Sequence, residues 1–146
     1  MRKYNVAVVG ATGLVGGTIL KILEERDFPI ENIYLFSSKK SAGKALEFRG
    51  REYVVEELKE DSFARDIDLA FFAAGGSVSE RYAKYAVKEG VMVIDNSSIF
   101  RMDKDVPLVV PEVNPEEVEK GKGIISNPNC STIQSVVALK PIHERY

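Results

Sequence analysis

Cys130 is the only cysteine among 146 residues, and it stands in Ser126-Asn127-Pro128-Asn129-Cys130-Ser131-Thr132, between a strand-like run and a helix-like run. A thiol at such a junction meets unpaired backbone N–H groups and the positive end of the helix dipole, both of which stabilise a thiolate. That placement suits a nucleophile; a small, buried, unreactive side chain is the alternative. A second constellation is Gly10-Ala11-Thr12-Gly13-Leu14-Val15-Gly16. Glycines between a strand and a helix permit a tight bend, close approach of backbone to a pyrophosphate and close packing of helix on strand, while the first N–H groups of the helix face the phosphates. The spacing is Gly-x-x-Gly-x-x-Gly rather than Gly-x-Gly-x-x-Gly, and its place after the first strand predicts a dinucleotide site. An acidic residue about 20 positions past the glycines would hold the ribose 2′-hydroxyl of NAD. The chain instead reads Ser37-Ser38-Lys39-Lys40-Ser41-Ala42-Gly43-Lys44. Those hydroxyl and ammonium groups suit a 2′-phosphate, so NADP is the expected cofactor; a solvated lysine loop is the alternative.

Such groups need elements to hold them. Tyr4 to Val9 reads as a strand and Leu14 to Glu25 as a helix, with Val15, Ile19, Ile22 and Leu23 on one face. Phe28-Pro29 ends that helix. Asn32 to Ser37 is a second strand, and Lys44 to Phe48 with Arg51 to Glu56 are two strands joined across Arg49-Gly50, as a hairpin or an extended excursion. Leu69 to Ala73 is an apolar strand, after which Ser77 and Glu80, at capping-box spacing, open a helix running toward Gly90. Met92 to Asp95 is a buried strand, Pro115 to Lys120 a short acidic helix, Gly123 to Ser126 a last strand, and Ser131 to Lys140 a last helix stopped by Pro141. This alternation predicts an α/β, Rossmann-like, doubly wound and mostly parallel sheet with helices on both faces. Hydrophobic content of 45%, 29% charged residues and a net charge of -2 make no electrostatic case for nucleic acid. Residues 1–4 lack the pattern of a cleavable leader, no apolar run is long enough for a bilayer, and a single cysteine excludes an internal disulfide framework. The expected setting is a reducing cytoplasm, with no membrane or nucleic-acid partner and no metal.

Taken together, Gly10 to Gly16, Ser41-Ala42-Gly43-Lys44, Ala74-Gly75-Gly76-Ser77, Asp95-Asn96-Ser97-Ser98, Val109-Val110-Pro111-Glu112-Val113-Asn114 and Asn127-Pro128-Asn129-Cys130-Ser131-Thr132 resemble the N-terminal part of the aspartate-semialdehyde dehydrogenases across essentially the whole chain. The resemblance implies reversible, NADPH-dependent reduction of L-aspartyl 4-phosphate to aspartate semialdehyde with release of phosphate, on the branch to lysine, threonine, methionine and isoleucine. It implies that Cys130 attacks the acyl carbon, that Arg101 and Asn129 bind the substrate phosphate, and that Ser38, Lys40 and Ser41 contact the 2′-phosphate; Lys39 is expected to bind cofactor from the residues of that loop alone. Lys40 stands where arginine is common in the family, which keeps the charge but loses a planar fork. Gly75 and Asn96, at strand ends, match positions that line the cofactor. Asn129 has a second reading as the N-cap of the last helix.

Members of that family are more than twice this length, with a second domain that supplies a histidine base and the contacts of a homodimer. Residues 1–146 are therefore expected to be the NADP-binding domain, without the catalytic and dimerisation domain and inactive alone. The one histidine, His143, is expected to be solvated and too far along the last helix to serve Cys130. Three other classes remain open on the residues: another acyl-phosphate or acyl-thioester reductase, a non-catalytic NADP-binding module, and an inert interaction domain.

Overall fold

Along the first strand, β1 (Tyr4–Val9), Val6 and Val8 face one way and Ala7 and Val9 the other, and all four are buried. A strand buried on both faces has to lie inside a sheet covered on both sides. The computed structural model, which describes residues 2–146, shows that arrangement. β1 pairs in parallel with β2 (Ile30–Ser37) and with β6 (Leu69–Phe72). The main sheet has six strands in the order β5-β2-β1-β6-β7-β8, with β5 at Glu56–Glu57, β7 at Met92–Asp95 and β8 at Ile124–Ser126. Every ladder in it is parallel.

Helix α1 (Leu14–Glu25) covers one face, where Leu20 and Leu23 pack with Val6, Val8, Ile33, Leu35 and Phe48. Helix α2 (Gly76–Lys88) covers the other, where Ala83 and Ala86 pack with Ala7, Val9, Phe36, Phe63, Phe72 and Val93. The expected doubly wound architecture is thus present. β3 (Ala45–Phe48) and β4 (Arg51–Val54) form a separate antiparallel hairpin.

Several local expectations need correction. On α1 the buried positions are Gly16, Leu20 and Leu23, while Val15 and Ile22 are exposed. Gly16 lets the helix approach the turn, and that contact rotates the stripe away from Val15. Ser77 does not cap α2. The N-cap is Gly75 at φ +91°, with no side-chain cap, and Ser79 instead donates to the buried carboxylate of Asp95. The expected strand Arg51 to Glu56 divides at buried Val55, whose N–H bonds to Lys44 O at 2.8 Å; the chain then crosses to the main sheet as β5. The short helix expected at Pro115–Lys120 is present with those bounds, as a 3-10 helix.

Pro141 does not stop the last helix. α3 runs Cys130–Arg145 with Pro141 inside. Proline removes the bond to Val137 O, but α3 has no buried residue, so water can take up that carbonyl. A Lys140–Glu144 ion pair at 3.2 Å and a Tyr146 N–H to Ile142 O bond at 3.1 Å support the final turn.

Two close approaches fix the turn after β1. Gly10 has φ +86°, and a Cβ there would lie 2.7 Å from Ala73 O. A Cβ on Gly16 would collide with the Gly10 carbonyl. Gly75 also has positive φ but open space around it. Gly10→Ala is therefore expected to cost at least about 2 kcal/mol, from backbone strain plus overpacking. Gly75→Ala, with strain alone, should cost about 1 to 2 kcal/mol. Urea unfolding of both variants checks this, and equal losses would contradict the steric account of Gly10.

Candidate active site

Because the ladders are parallel, β1, β6, β7 and β8 all end at one edge of the sheet. Strand order reverses between β2, on one side of β1, and β6, on the other, and such a switch point opens a crevice at the carboxyl ends. A cleft of about 650 Å³ lies there. Its walls include Gly10, Thr12 and Gly13 from the turn, Ser37, Ser38 and Lys39 after β2, and Ala73 and Ala74 after β6. Thr12 and Ser37 share a hydroxyl hydrogen bond at 2.8 Å, which ties the glycine turn to the end of β2.

The start of α1 suits an anion. Gly13 is its N-cap, no side chain caps it, and its first turn holds no acidic residue. The first-turn N–H groups are thus left for a ligand, and a bare backbone lets phosphate oxygens come close. A dinucleotide pyrophosphate fits that donor set. The turn before α1 is different: the N–H groups of Gly10 and buried Ala11 are spent on Phe36 O at 2.8 and 3.2 Å, and that of Gly13 on Gly10 O at 3.0 Å. Leu14 and Val15 point their side chains outward, so they can offer only backbone to the site. Gly16 lies buried beneath the turn as a packing residue.

Lys40 and Ser41 lie outside the cleft wall, in the turn where Ser41 N–H bonds to Ser38 O at 2.9 Å. Gly75 and Asn96 are also off the wall. Sequence reasoning missed Glu57, Leu58, Ser77, Val78, Arg81 and Tyr82, which all line it. Arg81 pairs loosely with Glu60 at 3.6 Å and stacks over Tyr82. The Tyr85 phenol, one turn further along α2, is pushed above its ordinary pKa first by a hydrogen bond to Glu60, then by desolvation and the Glu60 charge.

Two strands further along the edge, a polar network builds the approach to Cys130. Asp95 is wholly buried, and its carboxylate accepts from the hydroxyls of Ser79 and Ser97, which offsets part of its desolvation. Asn96 follows it. The Asn96 side chain donates to Phe72 O at 3.1 Å and accepts from Asn127 Nδ2 at 2.7 Å. Arg101 closes the network: Nε donates to Asn127 O at 3.0 Å and Nη2 to Asn96 O at 3.1 Å. Among the described residues nothing pairs with Nη1, which remains for an anion. Asn129 is the N-cap of α3, accepting from Ser131 N–H at 3.0 Å. Cys130 is the first residue of that helix and is exposed. The buried alternative for this thiol does not hold.

The three strand intervals from β1 to β8 span about 14 Å. An extended dinucleotide bound at the glycine turn reaches that far along the edge. His143 lies 13 residues beyond Cys130 on the same helix, a separation of roughly 20 Å.

A switch-point cleft, an uncapped glycine-turn helix and an exposed cysteine at the same sheet edge define a Rossmann-like nucleotide-binding domain. Residues 5–121 match the family described as semialdehyde dehydrogenase, NAD binding domain, and the chain belongs to that family. The aspartate-semialdehyde dehydrogenase of Aquifex aeolicus is 60% identical over 144 residues, which is 97% of this chain and 42% of the relative. The crystal structure of aspartate semialdehyde dehydrogenase II from Vibrio cholerae, complexed with ASA, superposes with TM-score 0.94 at 48% identity, over 98% of this chain and 47% of that one. The enzyme of Candida albicans with NADP superposes with TM-score 0.84 at 31% identity, over 99% of this chain and 48% of that one. The chain thus spans less than half the length of these relatives. Among the described residues, no helix is long and apolar enough to cross a membrane.

Two charge-assisted bonds from Arg101 join the loop after β7 to the loop before Cys130, and bonds of this kind contribute about 1.5 to 3 kcal/mol each. Arg101→Ala should therefore lower unfolding free energy by at least about 2 kcal/mol. Arg101→Lys should recover little, because an ammonium cannot bridge both carbonyls in one plane. Chemical denaturation checks this; an Arg101→Ala chain as stable as the parent would mean that the guanidinium does not hold these loops.

Proposed function

We propose that this chain is the NADP-binding domain of an aspartate-semialdehyde dehydrogenase, acting in the reversible reductive dephosphorylation of L-aspartyl 4-phosphate in the cytoplasm. The observation that carries this reading is the placement of an exposed cysteine, on a helix N-terminus, at the same sheet edge as an uncapped glycine-turn cleft. The names of the relatives and the NADP bound to the Candida albicans enzyme support it.

In this reading the pyrophosphate lies against the bare glycine turn and takes the free first-turn N–H groups of α1, and Ser38 and Lys39 take the 2′-phosphate. Lys40 and Ser41, just outside the wall, add charge and a hydroxyl to its rim. Asn96 acts by fixing the loop that backs the nicotinamide end, since its side-chain amide bonds to Phe72 and Asn127. Arg101, through Nη1, and Asn129, through Nδ2, donate to the substrate phosphate. Cys130 Sγ forms a bond to the acyl carbon as the carbon–oxygen bond to phosphate breaks and phosphate departs with that electron pair. NADPH, when bound, supplies the hydride that reduces the thioester. The sulfur–carbon bond then breaks, releasing the aldehyde and returning the thiolate. The helix N-terminus favours the anion at both ends of this cycle.

Titration calorimetry on the 146-residue chain should give NADP tighter than NAD by about tenfold, the worth of one charge-assisted hydrogen bond. Lys39→Ala should erase most of that difference. Equal or tighter NAD binding in the parent would contradict the 2′-phosphate reading.

His143, the one histidine of the chain, lies far along α3 from Cys130, and a general base contributes about 10²- to 10⁴-fold. With aspartate semialdehyde, phosphate and NADP, the chain alone should therefore turn over at least about 100-fold more slowly than the full-length Aquifex aeolicus enzyme. Cys130 should nonetheless be alkylated by iodoacetamide. Comparable rates would mean that a group within these residues serves as base and that no second domain is needed.

A further inference from the structure

At the ribose end of the cleft the charges are mixed, and the negative one comes from an unexpected strand. β5 pairs in parallel with β2, setting Glu57 directly beside Ser37, and Leu58 N–H closes on Ser37 O at 2.8 Å. Partners in register on adjacent strands point to the same face of a sheet, about 4.8 Å apart. Ser37 faces the cleft, because its hydroxyl meets Thr12 of the glycine turn. Glu57 therefore faces it too, and it lines the same wall as Ser38 and Lys39. Its one cationic neighbour among the described residues is Lys59, at a loose 3.9 Å. Arg81, across the cleft, is drawn to Glu60 instead, and Lys39 makes no ion pair among the described residues.

We propose that Glu57 is a specificity-determining residue for the cofactor, reading the 2′ position of the adenosine ribose from the edge strand. This rests on the reading that the cleft holds a dinucleotide. In folds of this type the acidic residue that accepts the ribose 2′-hydroxyl ends β2; here a serine ends β2 and the carboxylate arrives one strand further out. It accepts a hydrogen bond from the 2′-hydroxyl of NAD and repels the 2′-phosphate of NADP. Lys39 pulls the other way, so the preference for NADP is set by the balance of two opposed charges rather than by a basic pocket alone. Of the other charges near this end, Arg81 lines the wall and is drawn to Glu60, Lys59 pairs loosely with Glu57, and Lys40 stands just outside the wall.

The test is calorimetric titration of the full 146-residue chain and its Glu57→Gln variant with NADP, NAD, 2′,5′-ADP and 5′-AMP. Removing one like charge a few ångströms from the phosphate should raise selectivity for NADP over NAD by about fivefold or more. The fragment pair should shift by a similar factor, since the two fragments differ only in the 2′-phosphate. Glu57→Asp, which keeps the charge, should stay within about twofold of the parent ratio. Glu57→Thr serves in place of Glu57→Gln if that variant is unstable. An unchanged ratio, or equal weakening of all four ligands, overturns the proposal and leaves Glu57 a structural residue. A parent that binds NAD and NADP equally removes the NADP preference but not the role of Glu57, which is still read from the shift. A parent that binds none of the four overturns the dinucleotide reading and this proposal with it.

Discussion

The bend after β1 lies against the end of β6 so closely that no side chain fits between them. Gly10 takes a left-handed conformation with its α-carbon facing the Ala73 carbonyl, and Gly16 lets the first turn of α1 rest on the Gly10 carbonyl. This double contact sets where α1 begins, and the uncapped start of α1 forms one wall of the cleft. It also explains why the buried stripe of α1 runs through Gly16, Leu20 and Leu23. The helix docks by its glycine first and its leucines follow.

Parallel pairing then carries this local constraint across the sheet. With every ladder in the main sheet parallel, the ends of β1, β6, β7 and β8 share one edge, and residues far apart in sequence come to lie in a row. Gly10, Ala74, Asn96 and Asn127 each follow one of these strands. At the far end of the row the side chains of Asn96, Asn127 and Arg101 bind one another's loops rather than pointing freely to solvent. Cys130 is held by that network on its N-terminal side, and Asn129 caps the helix it opens. The exposed face of α3 beyond it takes no part in this core.

Strongly local features were legible in the sequence. β1, α1 and β7 have the bounds that their apolar runs and turn residues suggest, and the alternation of strand and helix was enough to predict a parallel, doubly wound sheet. What sequence reasoning missed depends on contacts between distant residues. Ser77 and Glu80 have capping spacing, yet Gly75 opens α2, because Ser79 is drawn to Asp95 on a neighbouring strand. Pro141 carries a helix-stop signal, yet α3 runs on through it, exposed along its length so that water can take up the freed carbonyl. Around the cleft, the glycine turn, Ser38 and Lys39 could be named from adjacent residues. Glu57 and Arg81 could not, since one arrives by a strand that splits at Val55 and the other from the second turn of α2.

The central claim is that a dinucleotide lies along one sheet edge, from the glycine turn toward the loop that precedes Cys130. Backbone amide shifts of the isotope-labelled chain, followed by NMR as NADP is added, test it most directly. The largest perturbations should fall on Gly10, Thr12, Gly13, Ser38 and Lys39, with a second group at Ala74 to Ser77 and Asn96, and none in the Ala45–Phe48 and Arg51–Val54 hairpin. Perturbations confined to the lysine-rich groove at Lys104, Lys120 and Lys122, or scattered without regard to this edge, would contradict it.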